Sequence, residues 1–515
     1  ESCTFGESLI SSYQLIEPEP IQLNNNNITN CKHTNIDISD ASIISTNIKQ
    51  GEFSQNEITF ESTNKACKAF QFDFWDQITH TNNEIKFINN YIEKANCKSG
   101  KGCVISFEGV CDLKFTFLSC NFINCGGGTS TAIHLLQMRR EVEFINCKFI
   151  QCKCTDGEGR IFYIFFDDKI SNITFYLCYF EDLCSMNHGG IGLYIDSSLS
   201  KKTITFIDTQ FKNFESENDK GGVICFDDHE TTTYSYVLLS RCKFTNIVGK
   251  RDGGAIYFDS PQGQLITENL TFTQLKTNGS GGAFYFKYEK DKMAVSIKNC
   301  AFDQVSSDLC GSISAVMCEI DQNELVIDNC TFLNNSADHG SCICFTRESE
   351  ESTSTIGSVS ITNCEFIDNI ASSGLTVVFE SSTCKNLIIK FCTFDRVDGA
   401  IAASVTGSVE IFDINFTEID EFSALSIQQV ATSSGEVSVT NCIFDGCKPV
   451  GIVLIDISVF VTKLTFSDIF IMNNVASSWN SSLGSINCNG LINELSIKNV
   501  TFSKNSCHSL FGGGV

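Results

Sequence analysis

A four-residue pattern, Asn-Cys-x-Phe, recurs along this chain of 515 residues and limits its fold more than any other feature. Its copies include Ser119-Cys120-Asn121-Phe122, Asn146-Cys147-Lys148-Phe149, Leu177-Cys178-Tyr179-Phe180, Arg241-Cys242-Lys243-Phe244 and Asn299-Cys300-Ala301-Phe302. They continue as Asn329-Cys330-Thr331-Phe332, Asn363-Cys364-Glu365-Phe366, Phe391-Cys392-Thr393-Phe394 and Asn441-Cys442-Ile443-Phe444. Copies without the cysteine fall at Phe211, Phe272, Phe416 and Phe502, and Ile92 and Ile471 take the aromatic position in two more. These positions lie 22 to 34 residues apart, most of them 27 to 31. Length alone suggests several domains, but stacked repeats escape that expectation because each packs only on its neighbours.

Upstream of each copy runs a short alternating strand, such as Val295-Ser296-Ile297, Leu325-Val326-Ile327 or Val437-Ser438-Val439. Period two puts one face inward and one outward. The Asn that follows fits a bend, since Asn tolerates left-handed backbone. Downstream comes a glycine pair and another strand, as in Gly221-Gly222-Val223-Ile224-Cys225-Phe226 and Gly253-Gly254-Ala255-Ile256-Tyr257-Phe258. Glycine turns a corner that a Cβ would obstruct. Ile256 and Phe258 are expected to share one face of the strand after it. Weaker versions of the pair stand at Gly340, Gly374 and Gly399. Strand, bend, strand, glycine corner, strand and variable loop make one coil of a parallel β-helix. The expectation is an all-β, right-handed, single-stranded parallel solenoid of about fifteen to sixteen coils, with handedness taken from the general preference for right-handed crossovers. At the β-strand spacing of about 4.8 Å it makes a rod about 75 Å long. Phe122, Phe149, Phe180, Phe211, Phe244, Phe272, Phe302, Phe332, Phe366, Phe394, Phe416, Phe444 and Phe502 should form one buried column.

With these motifs the chain resembles the polymorphic outer-membrane-protein repeat family. That family's G-G-A-[ILV] element is matched by Gly253-Gly254-Ala255-Ile256, Gly281-Gly282-Ala283-Phe284 and Gly221-Gly222-Val223-Ile224. Its F-x-x-N element is matched by Phe332 with Asn335, Phe366 with Asn369 and Phe502 with Asn505. Elsewhere Cys125, Cys152, Cys447, Ile247 or Leu275 replaces the Asn. The likeness covers roughly residues 85–515. It implies a surface-exposed β-helix of the pectate-lyase-like kind, of the sort used in adhesins and coats, and it implies no activity.

Composition narrows the function. The formal net charge is −25, which argues against nucleic acid and against simple attraction to anionic lipid. There are 43 Phe against 11 Tyr and 2 Trp, so the interior should be large and dry. The 28 cysteines suit an oxidising compartment. N-x-S/T sequons stand at Asn27, Asn172, Asn269, Asn278, Asn329, Asn334, Asn415, Asn480 and Asn499, and with the cysteines they point to a secreted or cell-surface glycoprotein. No stretch has the roughly 18 apolar residues of a membrane span.

Two groups of residues invite a chemical reading. Cys120 and Cys147, and Cys300, Cys330, Cys364 and Cys392, share a column in successive coils, at a spacing a disulfide accepts. They are either ladder disulfides or small buried fillers. Asp167, Asp168, Asp227, Asp228 and Asp259 follow the glycine-pair strand. They are calcium candidates, or the carboxylates of a polysaccharide hydrolase, or solvated strand ends. The chain has 7 His without a common column, and no catalytic grouping emerges. The expectation is therefore a structural or adhesive rod, not an enzyme, without a cofactor other than calcium. The alternative is a carbohydrate-active β-helix enzyme. Residues 1–60, with Pro18, Pro20 and the Asn24–Asn27 run, break the phase and suit an N-terminal cap, leaving 61–515 for the coils. At the other end, Leu510 to Val515 stop where a further strand would begin. Partners are then expected to be the chain itself, stacked head to tail, together with glycans or surface proteins.

Overall fold

The computed structural model describes strands from Thr4–Phe5 to Ser506–Cys507, with side chains described mainly from residue 84 onward. Segments 96–103, 127–132, 155–161, 167–170, 186–192, 228–233, 348–354, 430–434, 477–485 and 508–515 are among those outside the described residues. The described chain is all-β, its strands pair in parallel, and successive turns stack as a β-solenoid. It divides into two compact units, Glu1–Gly263 and Gln264–Val515.

In the first unit a coil is built as Ser235–Ser240, Lys243–Gly249 and Ile256–Asp259. Its first strands keep a fixed register in which Phe87, Phe117, Phe144, Phe175, Phe206 and Leu239 lie on one another. Its second strands stack Ile58, Ile92, Phe122, Phe149, Phe180, Phe211 and Phe244 in the same way. Strands from the first sixty residues join this order. Ile21–Asn24 pairs in parallel with Gly51–Ser54, and Asn27–His33 with Glu57–Phe60.

In the second unit a coil is built as Met293–Lys298, Ala301–Ser307 and Ile313–Met317. The second strands stack Phe272, Phe302, Phe332, Phe366, Phe394, Phe416, Phe444, Ile471 and Phe502. All of these are buried except the last. Phe502 is 40% exposed, so the expectation of a buried column fails there. The physical reason is that Ile492–Ser503 has a neighbour on one side, Val461–Met472, and none on the other among the described residues. Leu495 and Ile497 on the same strand are exposed for the same reason.

Two left-handed residues flank each short second strand. The first is the residue expected from the sequence, as at Asn299, Asn329, Asn363 and Asn441, with φ of 53 to 55°. The second comes two residues after the aromatic, as at Asn124, Gln151, Asp182, Gln304 and Asn334. Bending the chain on either side of the core residue lets a stretch of about three residues make a side of the coil. The bends also bond from coil to coil: Asn146 N–H donates to the Tyr176 carbonyl at 2.8 Å and Asn299 N–H to that of Asp328 at 3.0 Å.

The glycine corner behaves as its chemistry requires. Gly253 has φ +72°, and a Cβ on it would lie 2.7 Å from the Ile256 carbonyl oxygen. The strand it introduces departs from the expected alternation. Ile256 and Phe258 do share the core, but Tyr257 and Asp259, on the other face, are only 1% exposed. Ser106, His134, Ser314 and Cys344 repeat this in other coils. In these coils the third strand is covered on both faces, whereas Tyr285, Val378, Ser426 and Asp456 are half-buried and Gln428 is exposed at outward positions of other third strands.

Candidate functional site

The residues that give the coil its chemistry lie at its two corners, around the second strand. At the first corner of the first unit, Asn90, Cys120, Cys147, Cys178, Thr209 and Cys242 occupy one column, each two residues before the core residue of its second strand. Each side chain donates a hydrogen bond to the first-strand aromatic of the preceding coil. Asn90 Nδ2 reaches the Phe53 carbonyl at 2.7 Å, Cys147 Sγ that of Phe117 at 3.3 Å, and Cys178 Sγ that of Phe144 at 3.3 Å. Thr209 Oγ1 reaches Phe175 O at 3.3 Å and Cys242 Sγ reaches Phe206 O at 3.5 Å. In the second unit Cys330, Cys364 and Cys392 lie 3.6, 3.8 and 3.7 Å from the carbonyls of Ile297, Ile327 and Ile361, but nearer, at 3.4, 3.1 and 3.2 Å, to those of Asp328, Thr362 and Lys390 in their own coil.

The second corner repeats the device with a different balance of residue types. Cys152 Sγ donates to Phe122 O at 3.6 Å. In the second unit the same place is taken by Asn335, whose Nδ2 donates to Phe302 O at 3.1 Å while its Oδ1 accepts from Val305 N at 2.8 Å. Asn369, Asn474 and Asn505 bond in the same way to Phe332, Phe444 and Ile471. This is the F-x-x-N element, and its Asn is a corner clamp. Composition suggested cysteines as cross-links and fillers, and so missed them as donors. The signal was present in Asn90 and Thr209, which share the cysteine column although neither can form a disulfide.

Cys120, Cys147, Cys300, Cys330, Cys364 and Cys392 are all buried thiols in the structure. Burial pushes the Cys147 thiol well up from its ordinary range and carries Cys242 and Cys442 up to about 12. Among the described residues a disulfide joins Cys310 to Cys344, in neighbouring coils with Cα atoms 5.5 Å apart.

The sequon asparagines fall on outward positions. Asn269, Asn278, Asn329, Asn334, Asn415 and Asn499 are exposed and Asn172 is half-buried. Asn269, Asn329 and Asn499 share the first-bend position with φ of 51 to 56°. Two of these amides are engaged: Asn329 Nδ2 donates to Asn299 Oδ1 at 2.7 Å and Asn499 Nδ2 to Asp468 Oδ1 at 2.9 Å. Asn27 is described by its backbone alone, and Asn480 lies outside the described residues.

Of the acidic candidates, Asp259 alone has a described side chain. Asp167, Asp168 and Asp228 lie outside the described residues, and Asp227 is described only as the backbone partner of Asp259. Asp259 is not the solvated strand end expected of it. It is buried, and its Oδ2 accepts the Tyr257 hydroxyl at 3.3 Å. Among the described residues no three His, Cys, Asp or Glu side chains converge as metal ligands, and no helix is long and apolar enough to cross a membrane. No family model matches this chain, and a comparison with curated proteins finds none that matches it.

Proposed function

We propose that this chain is a secreted or cell-surface structural glycoprotein, a right-handed β-helical rod of about fifteen to sixteen coils, related to the polymorphic outer-membrane-protein repeats. The observation that carries the reading is the segregation of its residues. Phenylalanines, aliphatics and corner donors fill the inside, and sequon asparagines stand at exposed bends and turns. A rigid interior with glycan acceptors outside suits adhesion, a coat or a filament, where loops and glycans meet the partner. Stacking on a further coil, from this chain or from another copy, is the contact favoured for the apolar set Leu495, Ile497 and Phe502.

Site-resolved mass spectrometry of native material tests the reading. N-glycans are expected first on Asn269, Asn278, Asn334 and Asn415, which are exposed and whose amides are not tied into the ladder seen at Asn329 and Asn499. Native protein with every sequon unmodified would overturn it.

A further inference from the structure

We infer that the corner cysteines of this solenoid stay as thiols in the native protein, and that their S–H protons are the working part of the corner. Three roles compete for a buried cysteine in such a column: a disulfide partner, an apolar filler and a hydrogen-bond donor. In the first unit the run Asn90, Cys120, Cys147, Cys178, Thr209, Cys242 decides among them. No member is a simple hydrocarbon, and all make the same bond to the same carbonyl of the coil before. A column that needed only bulk would take Val where Thr209 stands, and a column of cross-links would pair its members. At the second corner Asn335 and Asn369 occupy the place of Cys125 and Cys152 and bond in the same way, while other coils fill that place with apolar residues such as Leu183 and Ile247, so the first corner of the first unit carries the argument. The second unit uses the first-corner bond less strictly, with Leu270 and Ile414 in the column, so each bond is a modest contribution and the fold tolerates its loss.

The surroundings protect the thiol. Cys147, Cys178, Cys330, Cys364 and Cys392 are at most 1% exposed. Disulfide formation requires an oxidant or a partner thiol that can reach the sulfur, and burial shuts the oxidant out. Forming a bridge between neighbouring members would also remove two donors and leave two interior carbonyls without them. Cys310 and Cys344 are bonded to each other and lie outside the corner columns.

Two measurements test this. Native protein unfolded in an alkylating reagent without reductant should carry the label on Cys147, Cys178, Cys330, Cys364 and Cys392, with Cys310 and Cys344 labelled only after reduction. Cross-linked peptides joining Cys147 to Cys178 or Cys330 to Cys364 would overturn the proposal. The second measurement compares Cys147→Thr with Cys147→Val. Thr keeps a donor and Val keeps only the volume, so amide exchange around residues 117 and 147 should stay near the parent value in the first. It should run about two- to tenfold faster in the second, the loss of one net hydrogen bond. Equal protection in the Val variant and the parent protein would reduce the cysteines to fillers and remove the role assigned to their protons.

Discussion

The two units wind the same coil around different interiors. In the first, the columns on the first and second strands are both aromatic. Phe144 stacks on Phe117 at 4.6 Å and Phe175 at 4.8 Å, and meets Phe149 and Phe162 edge-on at 6.0 and 5.4 Å. In the second unit the second-strand column is aromatic and the first-strand column mainly aliphatic, with Phe466 among its members. Phe332 stacks on Phe302 at 4.6 Å and Phe366 at 4.8 Å, and the first strands contribute Ile297, Ile327, Ile361, Ile389 and Ile411 instead. Stacking along the column follows from the coil spacing and is common to both. Edge-to-face contact between the first- and second-strand columns needs a ring in each and joins Phe144 to Phe149 in the first unit; in the second unit the edge contacts run instead from Phe284 on a third strand to Phe272 and Phe302, at 5.0 and 6.0 Å. The second corners differ too: where the position is polar, the first unit has the thiols Cys125 and Cys152 and the second mainly the amides Asn335, Asn369 and Asn474, while apolar residues such as Leu183, Ile247, Leu275 and Val397 fill it in other coils of both units. The solenoid thus fixes where a group must sit and leaves open which chemistry fills the place.

The largest effect expected from breaking this comparison is at Phe144. Phe144→Ala should cost about 3–5 kcal/mol, because a buried ring is lost and its neighbours cannot close the gap. Leucine is the sharper probe. Phe332→Leu loses volume and the stacking on Phe302 and Phe366 but no edge contact, so it should cost less than Phe144→Leu. Phe144→Leu forfeits its edge contacts as well, each worth about 0.5–1.5 kcal/mol. Native-state amide exchange, read separately in the two units, measures both, because a repeat protein opens locally. Equal costs for the two leucine variants would mean that the edge contacts add nothing to the first unit.

The corners provide the next contrast. Asn335→Ala removes the acceptor of the buried Val305 N–H and should cost about 1–3 kcal/mol. Cys152→Ala removes one weak donor and should cost less than that. Denaturant titration of the two variants checks the order. The reverse order would show that the amide and the thiol do not do the same work with different strength.

The core column was legible in the sequence because Phe recurs in phase, and the first bend because Asn precedes it. Gly253 was legible because few residues accept its φ. The second bend was less visible, since Gln151, Asp182 and Gln304 share only polarity. The corner donors were hidden by chemistry that admits two meanings: cysteine suggests a disulfide before it suggests a hydrogen bond. The burial of Tyr257 and Asp259 could not be inferred from alternation, which reports that two faces exist and not that both are covered. The exposure of Phe502 depends on what lies beside its strand, which its own motif does not encode.

The smallest expected effect concerns the outward charges, where the units again place one device differently. In the first unit Arg241, at a first bend, grips Asp208 one coil earlier, with Nε–Oδ1 2.7 Å and Nη2–Oδ2 2.8 Å. In the second unit Arg396, at a second bend, grips Asp368 at 2.6 and 3.0 Å and also meets Asp395. The guanidinium hydrogen bonds hold both aspartates below the usual carboxylate range. A depressed folded pKa contributes stability that is complete above the unfolded value, near pH 4, and is lost as pH falls through the lower folded value. Both pairs are solvent-exposed, so the contribution is small and screened by salt. Acid titration of unfolding at low ionic strength should therefore show a shallow decline below about pH 4, reduced in Arg241→Gln and in Arg396→Gln. Arg396→Gln should have the larger consequence, because it leaves Asp368 and Asp395 facing the same solvent without their shared cation. If neither substitution changes the acid limb, the pairs only decorate the bends, and the two units differ inside but not outside.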